Sequence, residues 1–245
     1  MISFCITCMG RRQHLEQTLV ENIRVAAKSK VRCEFVLLDY SSPDGVGEFI
    51  ARELSGSLRE GVLSYYRLEG AETFHMAHAK NMAHRLAAGP HVCNLDADNL
   101  LLPFFAEHLN EVLSNPRTVA AFPRTEESYG GCSGRIALHR EHFEALGGYN
   151  EELKGWGWED VDFLERAALA EIAPVPIPLE FARSLKHSNK LRVQFQVGKR
   201  RFETCRRNKQ VARRAIARHG FRANRDGFGR GIVYRNFDPA PIHLE

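Results

Sequence analysis

Two tryptophans, four methionines and no long apolar run narrow the field for this 245-residue chain before any motif is read. A membrane span needs about 20 consecutive apolar residues, and no stretch here approaches that. The opening MISFCITCMGRR has no basic region ahead of its apolar residues, so a secretory leader is not expected and the run reads as a strand. Cysteine is scarce too, with six in all. Cys5-x-x-Cys8 has no second such pair and no close histidine pair to complete a zinc site. Cys5, Cys33 and Cys93 fall in apolar runs, where a thiol acts as a small hydrophobe. Reduced thiols and a cytoplasmic setting are the expectation. Internal repeats and low-complexity tracts are absent, which excludes solenoids and disordered linkers.

What is present begins with an uneven charge. Residues 183–235 carry 17 Lys/Arg against Glu203 and Asp226, a net of +15, while residues 1–182 carry a net of −9. An acidic body with a basic tail suggests that the tail meets phosphate, an anionic surface or its own body. The tail has no aromatic-rich stacking motif, zinc pattern or helix-turn-helix, so no nucleic acid is expected as partner.

Apolar runs of strand length occur at 2–8, 33–39, 62–68 and 91–96. Helical periodicity fills 11–27, 46–54, 76–88 and 103–113 between and after them. Gly89-Pro90 stops one of these helices, and Pro103 suits the start of another. Strand alternating with helix predicts an α/β fold on a mostly parallel sheet. Ligands in such sheets bind beyond the carboxyl ends of the strands. Further on the pattern is less regular, with strands at 118–122 and 135–138, a glycine-rich YGGCSG loop, and helices at 140–146, 158–171 and about 203–218.

The polar residues at the strand ends carry the chemistry. In NLDADN, Asp96 and Asp98 stand at i and i+2, which point the same way on a strand. Two carboxylates there suit a hard cation, Mn²⁺ or Mg²⁺, that also holds phosphate oxygens. Asp39 ends the second strand. It either accepts from a base N–H or ribose hydroxyl, or caps the SSPDG turn with its own side chain. Lys80 either reaches a diphosphate or is a solvated surface lysine. GWGWEDVDF, 155–163, gathers both tryptophans with Glu159, Asp160 and Asp162. An indole can stack on a sugar face while carboxylates take its hydroxyls. A carboxylate against aromatic walls is desolvated, and so is a stronger base. The competing reading makes both tryptophans core residues and the acids favourable charges at a helix N-terminus.

Taken together, SFCITCMGRRQHLEQTL, FVLLDYSSPDG, AKNMAHRLAAG, VCNLDADN and GGYNEELKGWGWEDVDFLERA resemble, in order, the motifs of nucleotide-sugar glycosyltransferases with the GT-A fold, close to family 2. The last segment resembles that of galactosyltransferases and bacterial polysaccharide polymerases. The resemblance runs over roughly residues 2–190. It implies a GT-A domain at 1–190, with a nucleotide-binding half at 1–100 and an acceptor-binding half at 101–190. Residues 191–245 would be a basic helical extension packed on that domain.

The resemblance further implies an inverting transferase that uses a nucleotide diphosphate sugar, UDP above all, and a divalent metal. Thr7, Arg11, Asp39, Lys80, Asp96 and Asp98 would bind the donor. Asp98 would hold the metal, with Asp96 and His187 (in KHSNK) as further ligands. Asp160 would be the catalytic base, with Glu159 on sugar hydroxyls and Trp156 and Trp158 lining the acceptor pocket. The acceptor would be a glycan, a lipid-linked sugar or a small molecule, and the basic tail would give peripheral contact with an anionic membrane. This chain departs from galactosyltransferases in having Trp158 where they often have Gly, and Ser184 where they have Met. The alternatives are a retaining transferase of the N-acetylgalactosaminyl type, or a protein that binds nucleotide-sugars or nucleic acid without turnover.

Overall fold

The computed structural model describes residues 1–123, 131–198 and 200–245. Most of the YGGCSG loop is described, but its Tyr129 and Gly130 lie outside these residues, as does Lys199 of the basic stretch. The chain runs β1 (Ile2–Cys8), α1 (Arg12–Ala26), β2 (Cys33–Tyr40), α2 (Val46–Glu53), α3 (Ser55–Arg59), β3 (Leu63–Leu68), α4 (Met76–Arg85) and β4 (His91–Asn94). There follow α5 (Phe105–Val112), β5 (Thr118–Ala121), β6 (Ile136–His139), α6 (Arg140–Ala145), α7 (Glu159–Leu169) and β7 (Ala173–Pro176). The last elements are α8 (Asn189–Arg192), α9 (Arg201–His219), β8 (Gly231–Arg235) and β9 (Pro241–Leu244).

Among the described residues one sheet forms, in the order β7-β5-β6-β4-β1-β2-β3-β8-β9. Its centre, β4-β1-β2-β3, is parallel, as alternating strands and helices require. The flanks bring antiparallel pairs, β4 with β6, β5 with β6, β3 with β8 and β8 with β9. The central strands are apolar throughout because helices cover both faces. Phe4, Phe35 and Leu37 meet Leu15, Phe49 and Phe105 on one side. Val36 and Leu38 share the other side with Met82, Phe143 and Phe163.

The C-terminal segment corrects the expectation of a helical extension. Only α8 and α9 are helical, and β8 and β9 widen the main sheet beyond β3. β9 is the edge strand and Val233 is the one fully buried residue of β8, so the sequence of the pair carries little apolar signal. No helix among the described residues is long and apolar enough to cross a membrane.

Candidate active site

A cleft of about 250 Å³ opens at the carboxyl ends of the central strands. Of the residues singled out from sequence, Thr7, Arg11, Lys80, Asp96, Asp98, Trp156, Trp158, Glu159, Asp160 and His187 all line it. Asp39 does not. Its carboxylate is fully buried one strand away and already engaged. Oδ2 accepts from the Tyr65 hydroxyl (2.7 Å) and Arg67 Nη1 (2.9 Å), and Oδ1 accepts from the Ser42 N–H (2.7 Å). The turn-capping reading describes this position, with β3 adding two donors that the local sequence does not reveal.

The two acids of NLDADN reach the cleft by another route than strand alternation. β4 ends at Asn94, and Asp96 and Asp98 lie in the loop after it. That loop is clamped from beneath by polar residues of α1. Thr18 Oγ1 donates to the Ala97 carbonyl (2.7 Å), and Asn22 Nδ2 donates to that of Asn99 (2.9 Å). The fully buried Arg135 donates to Asn99 Oδ1 (3.1 Å) and to the Phe181 carbonyl (2.9 Å). A short antiparallel bridge then brings in a distant part of the chain. Leu100 N–H donates to the Arg183 carbonyl (3.0 Å), and Leu185 N–H donates to that of Asp98 (2.8 Å). This carries His187 to Asp98, where Nε2 meets Oδ2 at 2.9 Å. Burial raises the Asp98 pKa, but the His187 hydrogen bond and charge outweigh it and hold the carboxyl below its usual range.

Asp96 is set apart from that pair. Its Oδ1 accepts from Asn94 Nδ2 (3.1 Å). A Cβ on Gly134 would sit 3.0 Å from Asp96 Oδ2 and 3.3 Å from Asp160 Oδ2, so the missing side chain leaves room between two carboxylates. Burial raises the Asp96 pKa, with Lys80 opposing and Asp98 adding to it.

Asp160 sits in the first turn of α7, whose N-terminus favours negative charge. Lys80, near the start of α4 and 2% exposed, reaches across to it. Its Nζ donates to Asp160 Oδ1 (2.7 Å) and Glu159 Oε1 (3.1 Å), and lies 4.9 Å from the centre of the Tyr149 ring. Burial works against the ammonium charge, but the two carboxylates more than offset this and raise its pKa. The Asp160 carboxyl is pushed up to about 7 by burial and by Glu159, despite Lys80. The solvated-lysine reading therefore fails for Lys80, which is the internal counter-ion of an acidic pair. Glu159 is buried beneath Lys80, so its contact with the cleft is limited.

Both tryptophans border the cleft and are only partly buried. Trp158 is left-handed (φ 80°) at the N-cap of α7. Lys209 lies over its ring at 4.9 Å, and Arg201 over that of Trp156 at 3.9 Å. Asp162 has a structural place, accepting from Arg166 Nε at 2.9 Å in the core. Sequence reasoning passed over His14, whose ring meets that of His187 edge-on at 5.4 Å, and over Phe195 and Gln196 on the cleft wall. His14 stands three residues beyond Arg11 on the same helix face, a signal that was available. Phe195 packs where a Cβ on Gly10 (φ 65°) would come within 2.1 Å of its ring, so Gly10 is required there.

Solved structures similar to this one include several glycosyltransferases. Mannosyltransferase PcManGT from Pyrobaculum calidifontis, in complex with GDP-Man and Mn²⁺, matches with a TM-score of 0.60 at 20% identity over 72% of this chain and 54% of its own. The fold is GT-A. A Drosophila beta-1,4-galactosyltransferase 7 mutant, in complex with manganese, UDP-Gal and xylobiose, matches with a TM-score of 0.58 at 17% identity. That match covers 92% of this chain and 82% of the galactosyltransferase. GalNAc-T7 with UDP, GalNAc and Mn²⁺ matches with a TM-score of 0.57 at 18% identity, over 73% of this chain and 42% of its own. This GT-A chain thus spans about half the length of the mannosyltransferase. Residues 116–189 match the family described as the N-terminal domain of galactosyltransferase. Among curated protein sequences no relative matches.

A divalent cation can be tested against the donors present. Two neighbouring ligands at about 2.1 Å in octahedral geometry stand about 3 Å apart, and Asp98 Oδ2 and His187 Nε2 are 2.9 Å apart. The pair fits two adjacent corners. Among the described residues no group of three or more His, Cys, Asp or Glu is arranged to hold a metal. The chain would therefore supply two ligands and leave the rest to donor oxygens and water, with Asp96 outside the set.

Proposed function

We propose that this protein is a metal-assisted glycosyltransferase that moves a sugar from a nucleotide diphosphate, UDP first among candidates, to an acceptor hydroxyl with inversion. The observation that carries the reading is Asp160. Its carboxyl, pushed up to about 7 by burial and Glu159 and held by Lys80 through one oxygen, lines the same cleft as Trp156 and the Asp98–His187 pair. A base that is half ionised near neutrality combines proton affinity with availability. Lys80 holds Oδ1, which leaves Oδ2 on the Gly134 side to take the proton of the acceptor hydroxyl. Trp156 offers an apolar wall for a sugar ring, with Arg201 covering one face of the indole. Arg11 and Arg192 bring positive charge to the side of the cleft where a diphosphate would leave. A divalent cation bound by Asp98 and His187 would act as a Lewis acid on that leaving group.

Support comes from the GT-A fold, from the galactosyltransferase-family match over 116–189, and from neighbours whose structures hold Mn²⁺ with UDP, UDP-Gal or GDP-Man. The test is a thermal-shift series with UDP and GDP, each with and without Mn²⁺. Turnover of the sugar donor that binds then follows, with the anomer read by NMR. Metal-dependent stabilisation and an inverted anomer are expected. A retained anomer would transfer the reading to the N-acetylgalactosaminyl type, and binding without turnover would make the chain a sensor.

A further inference from the structure

The outer face of α9 is not used by the cleft. Its inner face is, since Thr204 Oγ1 donates to the Trp156 carbonyl (3.2 Å) and Asn208 Nδ2 donates to that of Gly157 (2.8 Å). Thr204, Asn208 and Ala212 are buried against the body. At 3.6 residues per turn the opposite side presents Phe202, Arg206, Arg213 and Ala217 in one stripe, flanked by Arg207, Arg214 and Arg218. All seven are exposed, and Phe202 is 91% exposed.

A basic tail strapped to an acidic body would pair these arginines with body carboxylates. It does not. Among the described residues Arg206, Arg213, Arg214 and Arg218 form no ion pair, and Arg207 donates to the Lys154 carbonyl and to Asn208. Glu203, the single acid of the helix, is occupied by Arg200. The charge is therefore presented outwards.

Phe202 extends the face with an apolar end. Beside it, Leu191 and Val193 border a groove of about 740 Å³ rimmed by Lys190 and Arg201, and Val197 nearby is 47% exposed. We infer that this face docks on an anionic lipid bilayer, with the arginines at the headgroups and Phe202 entering the interface. Polyanion binding would use the arginines alone, whereas an exposed phenylalanine at the end of the cationic stripe favours a surface that has an apolar layer beneath its charge. Because the inner face of α9 backs the Trp156–Gly157 wall, such docking holds the cleft at the membrane. If the proposed transfer reaction is right, this favours an acceptor carried on a lipid.

The experiment is co-sedimentation of the full chain with mixed phosphatidylcholine–phosphatidylglycerol vesicles and with pure phosphatidylcholine vesicles, at low and high salt. Binding is expected only to the anionic vesicles, and salt should weaken it. Arg213→Glu/Arg214→Glu should lower partitioning by about tenfold or more. Phe202→Ser should weaken binding even at higher salt. All three side chains are exposed, so unchanged circular dichroism and melting should accompany both variants. Failure to bind anionic vesicles at low salt would overturn the inference. So would heparin or single-stranded DNA binding as tightly as vesicles and indifferent to Phe202→Ser, which would make the face a polyanion site. None of these readouts depends on sugar transfer, so the inference and the catalytic reading stand or fall separately.

Discussion

Replacing Asp160 by asparagine should cost activity and return stability, and the return should depend on pH. The Asp160 carboxyl titrates at about 7 in the fold, against an ordinary value of 3.8. Ionisation is thus harder in the folded chain than in the unfolded one. As pH rises above 3.8 the unfolded chain gives up this proton first, and folding stability falls until the folded pKa is passed. Each pH unit between the two values is worth about 1.4 kcal/mol, so the cost is about 2 kcal/mol at pH 5 and about 4 kcal/mol at pH 8. An asparagine side chain cannot ionise, so Asp160→Asn removes the cost at both pH values. The attraction of Lys80 for the ionised carboxylate is already contained in the folded value, and the remaining difference, asparagine against a protonated carboxyl, is a constant that cancels between the two pH values. The stability of Asp160→Asn relative to the parent chain should therefore rise by about 2–3 kcal/mol from pH 5 to pH 8. Urea unfolding followed by tryptophan fluorescence, on both proteins at both pH values, measures it. Turnover should fall by about a hundredfold or more. A stability difference that does not change with pH would refute the argument that Asp160 is held partly protonated by its surroundings. Near-normal turnover would move the base to another carboxylate, Glu159 first.

Asp98→Ala should abolish the Mn²⁺-dependent part of UDP binding while leaving the melting temperature of the unliganded chain little changed, as thermal shift with and without metal would report. Lys80→Met leaves Asp160, Glu159 and Asp96 without their cation, and removing one partner of a buried pair costs about 3–5 kcal/mol. Chemical denaturation at pH 8 should show that loss, and at pH 5, where Asp160 is protonated, a smaller one. Truncation after residue 202 would strip β8 from β3 and α9 from α7, so it should unfold the chain rather than release a separable tail, as circular dichroism would show.

The central sheet was legible because its signals are local. Runs such as CEFVLLDY are apolar on both faces, and turn residues stand between them and the helices. The segment GWGWEDVDF was legible as a cleft wall because it mixes indoles and carboxylates in a way that neither a core nor a solvated loop requires. The parts that were not legible depend on partners far away in sequence. Asp39 looked available at a strand end, yet Tyr65 and Arg67 from β3 fill its acceptor positions. Lys80 looked like a surface lysine, yet residues 79 and 80 positions downstream bury it. β8 and β9 were passed over because GIVYR and PIHL, short and flanked by Arg, Asn and Pro, have too few buried positions to show a period.

Trp158 has a consequence for how readily this cleft can be remodelled. An L-residue held at φ 80° gives up about 1–2 kcal/mol relative to its preferred backbone. Glycine, which the galactosyltransferase-type segment often has at this position, would not incur that cost. The indole regains part of it through burial and through Lys209 stacked on its face. The two terms oppose each other, so exchanging Trp for Gly alters stability little while opening one wall of the cleft. Few other positions around the site allow this. Lys80 and Arg135 are each tied to buried partners whose loss would be felt throughout the fold. On the proposed reading, Trp158 is thus the place where the shape of the cleft can drift by single substitutions without the protein first having to become more stable.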